Sequence, residues 1–206
     1  MKVLLINGSP RARGCTYTAL CVVEDSLKEE GINTEIFHIG TQPIHGCIEC
    51  KSCWETGRCV FHDDVLDELY QKVKEAAGFV FGSPVYFASA NGSMTSLMDR
   101  LFYTSKDLWM KPAACVVSAR RGGTTAALDV LLKYPANRNM PIISSQYWNM
   151  VHGNEPDEVM KDLEGIQTMK TLGKNMAWIM KCIEAGKAAG IEKPDIPEKI
   201  KTNYIR

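Results

Sequence analysis

The stretch KVLLINGSPRARGCTYTAL, residues 2–20, carries the reading of the fold. KVLLI (Lys2–Ile6) is an apolar run that stops at Asn7-Gly8, the pattern of a strand buried on both faces and therefore of a parallel sheet. Beyond a loop of small and polar residues, Leu20, Val23 and Leu27 recur at helical spacing until Gly31, which reads as a helix closed by its C-terminal glycine.

The same alternation continues outward. NTEIFHI (33–39) reads as a second strand, and DDVLDELYQKVKEAAG (63–78) as a helix capped by Asp63 or Asp64 with a stripe of Leu66, Leu69 and Val73. FVFGSPVYF (79–87) starts as a strand and breaks at Gly82-Ser83-Pro84. GSMTSLMDRLFYTS (92–105) reads as a helix capped by Ser93, PAACVVSA (112–119) as a buried strand, TTAALDVLLKY (124–134) as a helix and MPIISSQYW (140–148) as the fifth strand. From about Asp157 to Ala189, the residues Val159, Leu163, Ile166, Leu172, Met176, Ile179 and Ile183 fit one helical face, with Gly165 and Gly173 as candidate bends. Strands alternating with helices predict an α/β fold: a flavodoxin-like, doubly wound, five-stranded parallel sheet of order 2-1-3-4-5 with flanking helices. Its ligand belongs beyond the carboxyl ends of the strands, so the loops to read follow Ile6, Phe81 and Val117.

The bounds narrow the function. A chain of 206 residues with zero net charge lacks the basic excess that nucleic acid or a membrane surface would favour. No apolar run reaches bilayer length, and the N-terminal run is too short for a signal-peptide core. The expected location is the cytoplasm, where clustered cysteines bind metal or do redox chemistry more often than they form disulfides.

NGSPRARGCTYT offers Ser9, Thr16, Thr18 and free N–H groups at a helix start, with Arg11 or Arg13 adding charge. It is neither G-x-G-x-x-G nor a P-loop, so it fits a monophosphate, or simply a polar strand-to-helix turn. GSPVYFASANGS places Tyr86 and Phe87 where a flat heterocycle could lie, though aromatics are more often core. In SARRGGTTAA, Gly122 and Gly123 allow close backbone approach, and Arg120 and Arg121 could stabilise negative charge on a ligand.

NGSPRARGCTYTAL, GSPVYFASANGSMTSLMDR and SARRGG together resemble the NADPH-dependent FMN reductase and multimeric flavodoxin-like family, and CIECKSCWETGRC (47–59) resembles the cysteine motif of its iron–sulfur flavoprotein branch. The resemblance implies FMN, with its phosphate at Ser9, Arg11, Thr16, Tyr17 and Thr18. It implies the ring beside Pro84, Val85, Tyr86 and Phe87, and the ring edge near Ser118, Arg120, Gly122 and Gly123. Residues 1–190 would form the FMN-binding domain, with a cysteine-rich loop at 46–60 and a tail at 191–206. The resemblance also implies a homodimer or homotetramer and a redox donor such as ferredoxin or NAD(P)H. Cys15 stands where close relatives often carry asparagine, which leaves its backbone N–H as its means of reaching a phosphate.

Cys47, Cys50, Cys53 and Cys59 follow C-x2-C-x2-C-x5-C, without the distant second pair that zinc knuckles supply. Cysteines at intervals of three suit the face of a [4Fe–4S] cluster, with Gly46 and Gly57 giving the loop room to turn. Cys15, Cys21, Cys115 and Cys182 read as packing residues. His152, with Trp148 and Asn149, either lines the cofactor crevice or is an ordinary loop residue. The reading that follows is an FMN-dependent oxidoreductase passing electrons between FMN and a cluster. Its alternatives are an NAD(P)H-dependent FMN or quinone reductase without a cluster, and a zinc-stabilised interaction module.

Overall fold

The structure is a computed structural model that describes every residue except Asp63, Ile196, Lys199, Lys201, Asn203, Ile205 and Arg206. Its first half comprises β1 (Lys2–Asn7), α1 (Cys15–Glu29), β2 (Asn33–His38), α2 (Ser52–Thr56), α3 (Leu66–Glu75), β3 (Gly78–Tyr86) and β4 (Ser89–Ala90). α4 (Gly92–Thr104), β5 (Ala113–Ala119), α5 (Thr124–Asn137), β6 (Met150–His152), α6 (Pro156–Val159) and α7 (Leu163–Ala188) follow.

The parallel strands lie in the order β2-β1-β3-β5-β6, and β4 folds back antiparallel on the end of β3. Without that two-residue strand, the order is the flavodoxin-like 2-1-3-4-5. The apolar runs are continuous because the sheet is covered on both faces. Leu4, Ile6, Phe79, Phe81, Cys115 and Val117 point to the core shared with α3, α4 and α5. Val3, Leu5, Val80, Ala114 and Val116 point to the core shared with α1 and α7. Each such side chain taken fully out of water contributes about 1.5–3 kcal/mol before its entropic cost.

Three sequence expectations shift. The fifth strand is not at 140–148, where only Ile142 bridges to Ala113, but at Met150–His152, in register with Val117–Ala119. The Ser144-Ser145-Gln146 run interrupts the apolar pattern, and the Ser145 hydroxyl lies 2.7 Å from the Tyr147 carbonyl and 2.8 Å from Asn149 Oδ1, building a turn before the chain rejoins the sheet. The α4 cap is Asn91, whose side chain accepts from the Ser93 N–H at 2.7 Å. At α3, Asp64 Oδ1 accepts from the Leu66 N–H, while Asp63 lies outside the described residues.

Gly165 and Gly173 do not interrupt α7, which runs unbroken for 26 residues. A Cβ on Gly173 would stand 2.6 Å from Ser26 Cβ and 2.8 Å from the Val23 carbonyl, so this glycine sets how closely α7 can lie on α1. Ile166, Met169, Leu172, Met176 and Met180 are buried in the same seam. The apolar face read from the sequence is therefore covered largely within the chain.

Gly173→Ala is expected to destabilise the protein by about 1–3 kcal/mol through overpacking. Gly186→Ala, where the new Cβ would meet Ile191 no closer than 3.8 Å, should instead stabilise it by up to ~1 kcal/mol through helix propensity. Urea unfolding of both variants measures the contrast; equal effects would refute the close-contact account of Gly173.

Candidate functional site

The loops after β1, β3 and β5 meet at the carboxyl edge of the sheet. The Gly8 N–H donates to the Gly82 carbonyl at 2.8 Å, and a Cβ on Gly8 would strike that same oxygen. The first loop is shaped by the buried Asn7, which accepts from the Ser9 N–H at 3.1 Å and donates to the Ala12 carbonyl at 3.2 Å. Ser9 Oγ accepts from the Arg11 N–H at 3.1 Å, and His38 Nε2 lies 2.8 Å from the Ser9 carbonyl. α1 then opens at Cys15 with no side chain capping it. The first-turn N–H groups of Cys15, Thr16 and Tyr17 are thereby left at the positive end of the helix dipole, an arrangement that suits a monophosphate.

The side chains in this loop are directed differently. Thr16 Oγ1 and Ser118 Oγ lie 2.8 Å apart, both buried, and tie the first loop to the end of β5. Thr18 Oγ1 bonds back to the Gly14 carbonyl, and Tyr17 interacts with Cys21 one turn on. Arg11 is exposed and stands 4.0 Å from Glu155, a contact of little energetic weight. Cys15 Sγ reaches the Gly153 carbonyl at 3.5 Å, beside His152, whose own N–H donates to Asp162 at 2.7 Å.

Pro84 pairs with Ser118 across β3 and β5, so the second and third loops are neighbours. Val85 and Tyr86 form a hairpin with Ser89 and Ala90, turning through Phe87 (φ 49°) and Ala88 (φ 58°). Gly123 (φ 90°) packs on that turn so closely that a Cβ there would meet Ala88 Cα at 2.6 Å. Tyr86 is about half exposed and Phe87 fully exposed, leaving an aromatic rim on the crevice. Arg120 and Gly122 lie on the open side of the β5–α5 turn.

The cysteine segment leaves the end of β2 and returns at α3. Cys47, Cys50, Cys53 and Cys59 all line one pocket, walled by Phe61 and by Arg100, Tyr103 and Thr104 of α4. Burial pushes the Cys53 thiol up, and the neighbouring Cys47, Cys50 and Cys59 push it in the same direction. Glu49 and Lys51 adopt positive φ, at about 1–2 kcal/mol each. Among the described residues, no three His, Cys, Asp or Glu side chains converge on a point that would hold a single metal ion.

Arg100, 1 % exposed, fastens this loop. Its guanidinium donates to Cys59 Sγ at 3.2 Å, to the His45 carbonyl at 3.3 Å, to the Phe61 carbonyl at 3.0 Å and to the Asp64 carboxylate. Burial opposes its charge, but the bonds to Asp64 and Cys59 outweigh burial, so it holds its proton more tightly than a free arginine.

Residues 1–155 match the family of NADPH-dependent FMN reductases. The chain belongs to that family. It is an FMN flavoprotein and an FMN-dependent oxidoreductase. The chain is 32 % identical to an iron–sulfur flavoprotein of Methanocaldococcus jannaschii, over 89 % of this chain and all of that one. Among solved structures it is similar to RosB with a bound 8-demethyl-8-formylriboflavin-5′-phosphate intermediate (TM-score 0.72, 16 % identity, 100 % and 92 % of the two chains). It is also similar to a flavodoxin from the domain Archaea (TM-score 0.59, 16 % identity, 88 % and 99 %).

Of the sequence-derived candidates, the structure brings Thr16 and Ser118 together, pairs Pro84 with Ser118, packs Gly123 against Val85, leaves Ser9 bonded within its own loop to Arg11, and sets the four cysteines in a separate pocket. Sequence reasoning missed Asn7, His38, Asn91 and Arg100. Arg100 did leave a signal: a charge on the apolar stripe of α4, three residues after Leu97.

The Thr16–Ser118 bond is expected to couple the two loops. Thr16→Val and Ser118→Ala should each cost about 1–3 kcal/mol by leaving a buried hydroxyl unpaired, whereas the double variant should cost clearly less than their sum. Urea unfolding of the flavin-free proteins checks this, and strict additivity would show that the hydroxyls do not interact.

Proposed function

We propose that this FMN-dependent oxidoreductase is an iron–sulfur flavoprotein that passes electrons between FMN and a [4Fe–4S] cluster held by Cys47, Cys50, Cys53 and Cys59. The observation that carries the reading is the lining of one pocket by all four thiols. Cysteines at intervals of three suit a cubane, whose cysteines bind separate irons. Structural zinc sites draw on two separated cysteine pairs, and this segment has no distant second pair, which favours the cluster over the zinc-stabilised module. FMN exchanges one or two electrons and a cluster exchanges one, so the pair can split or collect electron pairs.

On this reading, the first-turn N–H groups of α1 and the loop from Ser9 to Thr18 hold the FMN phosphate. The 84–87 segment flanks the ring, and the 118–123 turn lies at its edge. Tyr86 and Phe87, exposed at the rim, form the surface over which NAD(P)H would dock; ferredoxin is the alternative donor on the cluster side. The exposed cysteine loop, with Glu49, Lys51, Glu55 and Arg58, keeps its thiols in a reducing compartment, the cytoplasm.

Cys53→Ala, purified and reconstituted anaerobically with iron and sulfide, is expected to lose the cluster while keeping stoichiometric FMN. The unmodified protein should hold about four irons per FMN. Iron, sulfide and flavin assays decide it: an unmodified protein with full FMN and no iron would leave the cluster-free NAD(P)H reductase.

Assembly follows from the surface. With the α7 seam largely covered within the chain, the aromatics left in solvent include Trp54, Tyr86, Phe87 and Tyr103 around the two sites, Tyr147 and Trp148 before β6, and Trp178 on α7. A homodimer or homotetramer that covers the aromatics near the cofactors is the assembly we propose. Light scattering should return two or four chain masses, independent of concentration in the micromolar range; one chain mass would refute it.

A further inference from the structure

The cysteine loop contributes little to the apolar cores, and its described α2 helix has no buried residue. Its position depends on a polar anchor. A guanidinium has five N–H donors in a rigid planar fork. Here Nε faces Cys59 Sγ, one terminal nitrogen faces the His45 carbonyl and Asp64, and the other faces the Phe61 carbonyl. The contacts thus fall on both ends of the loop and on one of its thiols. The Phe61 ring adds a cation–π contact at 5.4 Å and stacks on His45 at 4.2 Å, closing the loop's neck. A buried ion pair of this kind is weak evidence of stability by itself, since apolar side chains would fill the same space without desolvating charge. The pair at Arg100 and Asp64 is accounted for by what the remaining donors hold.

We propose that Arg100 is the positioning residue of the cysteine centre: its fork fixes the neck of the loop before any cofactor is present, and its bond to Cys59 Sγ favours the reduced form of the iron–sulfur group held there. The proposal rests on the cluster reading above. The physical basis is direct. Reduction adds an electron to a group whose charge is shared with its ligand sulfurs, and a cationic donor on one sulfur stabilises that added charge. Asp64 keeps the arginine buried and oriented. Asp64 also holds the first turn of α3 through the Leu66 N–H, so loop, α3 and α4 are locked by one ion pair.

The test has a metal-free arm and a loaded arm. Hydrogen exchange of the FMN-bound, metal-free protein should show segment 45–62 exchanging at least tenfold faster in Arg100→Lys than in the unmodified protein, with α1 and α7 unchanged. Lysine keeps the charge but cannot span the same acceptors. In the anaerobically reconstituted protein, the double variant Arg100→Met/Asp64→Leu removes both charges and keeps the fold, whereas Arg100→Met alone would strand Asp64. Its cluster should be about tenfold harder to reduce, a shift of ~59 mV to more negative potential for a one-electron couple. Arg100→Lys should fall between the two.

Unchanged exchange of 45–62 overturns the positioning claim. An unchanged potential in the double variant, with iron and FMN fully retained, overturns the tuning claim. If the unmodified protein takes up no iron, the cluster reading and the tuning claim fall together, and the metal-free exchange still decides the positioning claim.

Discussion

The hydrogen bond from the Gly8 N–H to the Gly82 carbonyl is the constraint on which the crevice at the carboxyl edge of the sheet depends. It holds the carboxyl ends of β1 and β3 at one level and leaves no room for a side chain between them. Because β5 pairs with β3 as far as Pro84–Ser118, the third loop is drawn to the same place, and Thr16–Ser118 closes the triangle. A few backbone contacts thus convert three separate sequence segments into one crevice. The sheet provides their rigidity through two apolar cores; the loops supply only the chemistry.

The structure keeps its two polar centres on different supports. The loop after β1 is shaped by hydrogen bonds through Asn7, Ser9 and His38, with no carboxylate among them. The cysteine loop is held by a buried charge, Arg100, balanced by Asp64. An ion pair tolerates burial there because each of the three guanidinium nitrogens finds an acceptor. The separation also explains why the loop can carry strained residues such as Lys51 without disturbing the flavin crevice.

Most of the fold was legible because its strands are buried on both faces: KVLLI, FVF and AACVV admit no other pattern than a covered parallel sheet. The fifth strand was not, since an apolar pair as short as Met150-Val151 has no periodicity, while the longer MPII run mimics one. The Asn91 cap was missed because Ser93 is an equally good cap by type, and only the bond between them decides. Gly173 looked like a helix breaker because sequence shows the missing side chain but not the neighbouring helix that requires its absence. The gathering of the four cysteines was legible from their spacing, and the structure lines one pocket with them. Its anchor was not, because Arg100 lies about forty residues beyond the loop and on a different helix.

The stacked rings of His45 and Phe61 and the carbonyls on either side of the loop meet at a single guanidinium, so the cysteine segment begins and ends at the same point in space. In topological terms it is an insert with a pinched base. The two rings lie close enough for a short connection between β2 and α3 to pass through the same point. A segment fastened at one point can thus carry its own chemistry while the sheet carries the fold.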